Sequence, residues 1–224
     1  MWHDAAVEST VIVRLWHAVV ALVVLAALIA QVGVTINEDR SLINMFSYFT
    51  IQSNILVVVA SAVVAADPRR DGTVFQAVRL AGLVGITVTG LVYQAVLVGN
   101  LEMEGIEVVL DNVFHRFAPL AAVAGFLGLR PRTPLTTASW WFLAWAFGWL
   151  GYTLARAELA NPVFTISDTQ TAPVPYGFLD IETEGGWSVT VACAVVLLIA
   201  IVIGSFYRWV ATSRPRRSTT TSNT

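Results

Sequence analysis

Lysine is missing from this 224-residue chain, and all thirteen basic residues are arginine. A retinal Schiff base and any other lysine-based covalent chemistry are therefore excluded. One cysteine, Cys193, allows no intrachain disulfide and no cysteine-based metal site. Charge is scarce as well. Only 12% of residues are charged, against about 25% in soluble domains, while 56% are hydrophobic and mean hydropathy is +0.70. This is the composition of an integral membrane protein. The net charge of −2 says nothing about partners, but a basic nucleic-acid surface is absent, so no nucleic-acid partner is expected. The arginine-only usage suggests a GC-rich bacterial genome.

What is there is a succession of apolar runs. Residues 11–34, 45–66, 76–98, 108–129, 135–156 and 187–209 are each long enough to span a bilayer as a helix, at about 1.5 Å per residue. The first is too long for a signal-peptide core, and Asp4 and Glu8 stand where a basic cluster would precede one. The expected fold is all-α: a polytopic membrane protein with six transmembrane helices in a single domain over residues 1–210. Residues 211–224 form a basic, then Ser/Thr-rich tail, expected to be disordered. Six spans place both termini on one side. Arg69, Arg70, Arg130, Arg132, Arg214, Arg216 and Arg217 all fall on that side, so both termini are expected in the cytoplasm, with the plasma membrane as location. The acidic loop bearing Glu102, Glu104 and Glu107 then faces out. So does the 30-residue connection 157–186, which is long enough to act as a lid and is expected to bury Phe178 and Leu179.

The second run, MFSYFTIQSNILVVVASAVVAA, is polar at one end. On a continuous helix Ser47, Thr50 and Asn54 share one face, which hydrocarbon would penalise unless the face turns inward. Hydrogen bonding between helices would satisfy it. So would a site. Topology allows comparison by depth: Thr50 and His115 lie within about 3 Å of one level. Tyr93, Gln94, Asn112, Arg116, Tyr152, Thr153 and Arg156 fall in the same outer half, joined by Gln31 and Thr35 of the first span. The inner half is apolar apart from Trp16, His17, Arg79 and Thr87. Polar groups converging on one layer suggest a pocket open to the outside. Histidine is the side chain that exchanges protons near neutral pH, and His115 is the one such group in the layer. A Thr50 hydroxyl activated by His115 would support acyl transfer, with Asn54, a tyrosine or main-chain donors stabilising the oxyanion. No third acid is evident; Asp111, one turn before His115, is the nearest candidate. His17 and His115 lie at opposite depths and cannot share a haem iron, and one histidine without cysteine makes no metal site. No cofactor is expected.

FTIQSN (Phe49–Asn54), NVFHRFAP (Asn112–Pro119), GYTLAR (Gly151–Arg156) and PVPYGFLD (Pro173–Asp180) together resemble the bacterial six-pass family called "Pr six Pr". That family is similar in layout to the eukaryotic androgen-induced-gene family, which includes the androgen-dependent TFPI-regulating protein. Its members are intramembrane hydrolases of fatty acid esters of hydroxy fatty acids. The resemblance implies Thr50 as nucleophile and His115 as base. The chain departs from the pattern at Gly177, where a proline is usual, and at Arg116, where the eukaryotic proteins carry a small polar residue. The expected function is hydrolysis of a lipid fatty-acyl ester, with Asn54, Gln94, Asn112, Arg116, Tyr152 and Arg156 binding the substrate. The alternatives are a non-catalytic lipid or small-molecule binder or transporter using the same pocket, and a scaffold whose polar layer only holds helices together. The partner is in either functional case a membrane lipid or lipid-like molecule; the sequence sets no oligomeric state.

Overall fold

The computed structural model describes residues 2–99 and 103–213, with side-chain surroundings from residue 10 onward. Arg214, Arg216, Arg217, Glu102 and most of the expected disordered tail lie outside the described residues.

The chain is helical almost throughout. α1 (Trp2–Asn37) leads through a short turn to α2 (Leu42–Ser47) and α3 (Phe49–Ala66). α4 (Thr73–Val92) ends in a π-helical turn, Tyr93–Leu97. Next come α5 (Ile106–Asn112), a second π turn (Val113–Phe117) and α6 (Ala118–Gly128), which abut without a break. A 3-10 turn (Thr137–Trp141) opens α7 (Phe142–Ala160). α9 (Gly186–Thr212) closes the described chain. Helix covers most of each of the six apolar runs, although α1 starts nine residues before the first run and the second run is divided between α2 and α3.

Four helices are long and apolar enough to cross a membrane: Thr10–Asn37, Phe49–Ala66, Thr73–Leu97 and Gly186–Thr212. The α5–α6 segment carries Asp111, His115 and Arg116 and is built of pieces of 7, 5 and 11 residues. α7 has 19 residues and includes Arg156 and Glu158. Charge and a Trp- and Gly-rich composition keep these two segments below that standard of length and apolarity.

α4 is the axis of the bundle. It touches α3, α6, α7 and α9, and more of its span is buried than of the other three. Leu80, Leu83, Val84 and Ile86 are almost wholly enclosed. Glycines permit this crowding. A Cβ on Gly82 would stand 3.3 Å from the Leu56 main chain of α3, and one on Gly85 would meet Trp145 of α7 at 3.0 Å and Ser53 of α3 at 3.1 Å. Small residues at such crossings bring helices close where lipid gives little drive for association. The outward faces are as apolar as the core: Leu15, Val19, Leu22 and Ile29 of α1, and Leu198 and Val202 of α9, are exposed.

The second apolar run is not one helix. Tyr48 takes extended backbone angles (φ −66°, ψ 131°) between α2 and α3. Its ring packs edge-on against Phe164 and Tyr176, and those contacts hold the break. The expected common face of Ser47, Thr50 and Asn54 is thereby divided. The 157–186 connection is also more ordered than a plain loop. It forms an antiparallel hairpin of β1 (Phe164–Ser167) and β2 (Gln170–Ala172), a 3-10 turn (Gly177–Leu179) and the short α8 (Ile181–Glu184). It folds back on the helix ends: Val174 and Leu179 are buried and Phe178 is half-buried, in a cluster with Trp149, Leu150 and Val189. The burial expected of Leu179 is full and that of Phe178 partial.

Candidate active site

The break at Tyr48 makes Thr50 the second residue of a new helix. A helix start leaves main-chain N–H groups without partners inside the helix. Thr50 therefore offers a hydroxyl and a free N–H at the same point, and both are used. Its N–H donates to the Tyr176 hydroxyl at 3.2 Å. Its Oγ1 lies 3.2 Å from that hydroxyl and 3.4 Å from His115 Nε2.

His115 sits in the π turn between α5 and α6. Such turns, with i→i+5 bonding, are frequent at functional sites. His115 Nδ1 is 2.8 Å from Asp111 Oδ1 and 3.2 Å from the Asp111 carbonyl oxygen. Both are acceptors, so Nδ1 carries the proton and Nε2 presents a lone pair to Thr50. Tyr93, at the start of the other π turn, stacks on His115 with ring centroids 4.1 Å apart and planes 11° apart, and donates its O–H to Asp111 Oδ2 at 2.6 Å. Asp111 and Tyr93 are buried. Carboxylate, imidazole and hydroxyl thus stand in line. Asp111, which the sequence offered only by proximity, contacts His115 directly, and Tyr93 contacts both.

On its other side Thr50 lines a cavity of about 210 Å³ between α3, α4, α7, α9 and the outer connection. The walls are apolar, with Val84, Val88, Phe142, Trp145, Leu197 and Ala200 among them, and Tyr176, Phe178 and Leu179 close one end. A group bound there would meet apolar walls and Thr50.

Other predicted residues are placed differently. Asn54 is fully buried, but its amide N–H groups go to the carbonyl oxygens of Thr50 (2.8 Å) and Phe114 (3.4 Å), joining α3 to the π turn. It braces the start of α3 against the π turn and does not donate into the cavity. Gln94 and Asn112 are exposed and line no part of the cavity. Asn112 accepts a hydrogen bond from Arg116 at 2.6 Å. Arg116 also reaches Asp111 Oδ2 at 3.5 Å and lies over the Tyr93 ring at 5.2 Å. It borders the triad with a partly exposed guanidinium. Tyr152 and Arg156 belong to a second cluster. Tyr152 OH is 3.0 Å from Ser47 Oγ, and Arg156 donates to Ser47 Oγ at 3.1 Å and to Asn44 Oδ1 at 2.6 Å. Ser47 is on α2, across the Tyr48 break, and this cluster anchors α2 to α7. The layer read from depth is therefore two clusters: Thr50, Asp111, His115, Arg116, Tyr93 and Tyr176 in one, Asn44, Ser47, Tyr152 and Arg156 in the other.

Sequence reasoning missed Tyr93 as a partner of the histidine and missed Tyr176 altogether. Tyr93 carried a signal, since it lies at the outer end of its span at the depth of His115. Tyr176 stood inside the quoted PVPYGFLD motif, but nothing in its spacing pointed to Thr50. At the far end of the bundle the scattered inner polar residues also meet. His17 Nδ1 is 3.4 Å from Ser61 Oγ and its Nε2 is 3.4 Å from Arg79, while Thr87 and Tyr207 pair at 2.8 Å. His17 and His115 thus face different partners at different ends. No family model, curated protein or solved structure matches the chain.

Proposed function

We propose that this protein is an intramembrane hydrolase of lipid fatty-acyl esters, with Thr50 as nucleophile, His115 as general base and Asp111 as the residue that orients His115. The observation that carries the reading is the Asp111–His115–Thr50 line ending on the wall of an apolar cavity. A polar relay of this kind would stabilise helix packing anywhere in the bundle. Placing its threonine on the wall of an apolar cavity suits a substrate with an apolar part and one reactive polar group. The family resemblance of the FTIQSN and NVFHRFAP motifs points the same way.

The chemistry follows from the proton positions. His115 Nε2 takes the Thr50 proton as Oγ1 attacks the ester carbonyl carbon, and the imidazolium formed is held by Asp111. Collapse of the tetrahedral intermediate breaks the bond to the alcohol oxygen, which leaves with the proton from His115. Water, deprotonated by the same histidine, then cleaves the threonyl ester and releases the fatty acid. The 3.4 Å separation of Thr50 and His115 is longer than a working hydrogen bond, and bonds of this kind shorten when substrate is bound. Arg116 borders the site and suits a carboxylate or phosphate on the substrate's polar end.

A lipid-like fluorophosphonate tests the reading. It should label the wild-type protein, the adduct should map to Thr50, and Thr50→Ala should not be labelled. Equal labelling of both proteins would leave the non-catalytic lipid binder or transporter, for which the cavity alone suffices.

The reading includes a membrane arrangement. The α5–α6 and α7 segments join the four apolar helices as membrane passages, giving six in all, with both termini cytoplasmic and the triad in the outer half of a bacterial plasma membrane. Arg69, Arg70 and Arg132 support it, since they gather at the end of the bundle opposite the triad. There Gln76 accepts from Thr136, and Arg132 donates to the Val210 carbonyl. Reporter fusions after Arg132 and after Asp180 should give opposite-side signals. Signals from the same side would overturn the arrangement.

A further inference from the structure

The Tyr176 hydroxyl has more to do than close a cavity. It comes from the outer connection, two residues past the buried Val174, and is seated on the start of α3. The Thr50 N–H donates to its oxygen at 3.2 Å, and the Phe49 N–H interacts with the same oxygen. That oxygen is also 3.2 Å from Thr50 Oγ1. The directions of these bonds can be worked out. Thr50 Oγ1 must give its proton to His115 Nε2, because Nδ1–H is committed to Asp111. The Tyr176 oxygen is accepting from the main chain. The one arrangement that satisfies both is Tyr176 O–H donating to Thr50 Oγ1.

We propose that Tyr176 is a catalytic residue, the side-chain oxyanion donor of the acyl-transfer reaction. The proposal rests on the acyl-transfer reading given above. When Oγ1 bonds to the carbonyl carbon it loses its proton to His115 and becomes a weaker acceptor. The carbonyl oxygen, attached to that same carbon, gains the negative charge. The Tyr176 proton then has a better acceptor beside the one it holds, and turns to it with its own oxygen still fixed by the α3 start. No heavy atom has to travel far, which is the condition under which a donor favours the transition state over the ground state. Main-chain donors pulling on the phenol oxygen also polarise its O–H. Burial pushes the Tyr176 phenol up from its ordinary value, so it remains a donor over the working pH range. Asn54, which the sequence offered for this task beside a tyrosine and main-chain donors, has its amide committed to carbonyl oxygens elsewhere.

The test uses full-length protein in liposomes, 4-nitrophenyl decanoate as ester and the fluorophosphonate as covalent probe. Tyr176→Phe should lower kcat by about 10²–10³-fold and slow labelling in parallel, with KM changed less than threefold. Replacing Tyr176 by 3,5-difluorotyrosine keeps the hydroxyl and lowers its pKa. Activity should then be present at neutral pH and lost as pH rises, at a lower pH than in the wild type, because the phenolate cannot donate. An unchanged rate in Tyr176→Phe, a faster one, or a change in KM alone would overturn the assignment while leaving Thr50 as nucleophile. A wild type no more reactive than Thr50→Ala would overturn both.

Discussion

Asp111→Asn should lower turnover of 4-nitrophenyl decanoate by about 10³–10⁴-fold while the protein stays folded, close to the complete loss expected of Thr50→Ala. The reason is the tautomer. Asp111 accepts from His115 Nδ1–H at 2.8 Å, which leaves Nε2 as the lone pair facing Thr50. An asparagine can turn its NH₂ toward Nδ1, and the imidazole then carries its proton on Nε2. A protonated Nε2 donates to Thr50 Oγ1 and cannot take its proton. The side chain keeps its shape and can still accept from Tyr93 through Oδ1, so the fold loses little: about 1–3 kcal/mol, the range for a weakened buried bond to a charged group. Circular dichroism and detergent melting would verify folding, and single-turnover kinetics would read the rate. A fall of less than tenfold would mean that Asp111 only braces the helix and that His115 acts without an orienting acid.

Much of this site can be read from the sequence because depth in a membrane is a countable quantity. Apolar runs fix where each helix begins, and the rise per residue then sets Thr50 and His115 at one level. Depth says nothing of azimuth. Gln94, in the π turn Tyr93–Leu97, and Asn112, the last residue of α5, share the level but face outward. The i, i+3, i+7 reading of Ser47, Thr50 and Asn54 failed for a related reason. It assumed a continuous helix, and Tyr48 is held extended by rings contributed from β1 and the Gly177–Leu179 approach, far along the chain. That same break supplies the free N–H of Thr50. The hairpin was within reach: FTIS and QTA are rich in β-branched and aromatic side chains around a polar Asp168–Thr169 turn, but four- and three-residue strands are short enough to pass as loop. Tyr176 was beyond reach, since its position depends on how the whole connection folds onto the helix ends.

The cavity makes the second large prediction. From Cys193 near its capped end to Ala200 deeper along α9 is seven residues, a rise of about 10 Å. Ala200 is buried, 9% exposed, and lies among Val84, Phe142 and Leu197 at the end away from Tyr176. Phenylalanine there would fill the deep part of the cavity while leaving Thr50, His115 and Asp111 untouched. A chain that must still reach the bottom would be forced against a ring in a close-packed wall, at a cost of about 1–3 kcal/mol, equivalent to about a 5–160-fold loss in kcat/KM. A butanoyl ester ends above the obstruction and should change less than threefold. The measurement is kcat/KM for 4-nitrophenyl butanoate, decanoate and hexadecanoate in wild type and Ala200→Phe, with Gly204→Ala as a control one turn further along α9 that lines no part of the cavity. The expected result is a shift of preference toward short chains. A uniform loss across all three esters would indicate a disturbed bundle, and equal activity on all three would show that the acyl chain lies elsewhere, between the helices and the lipid.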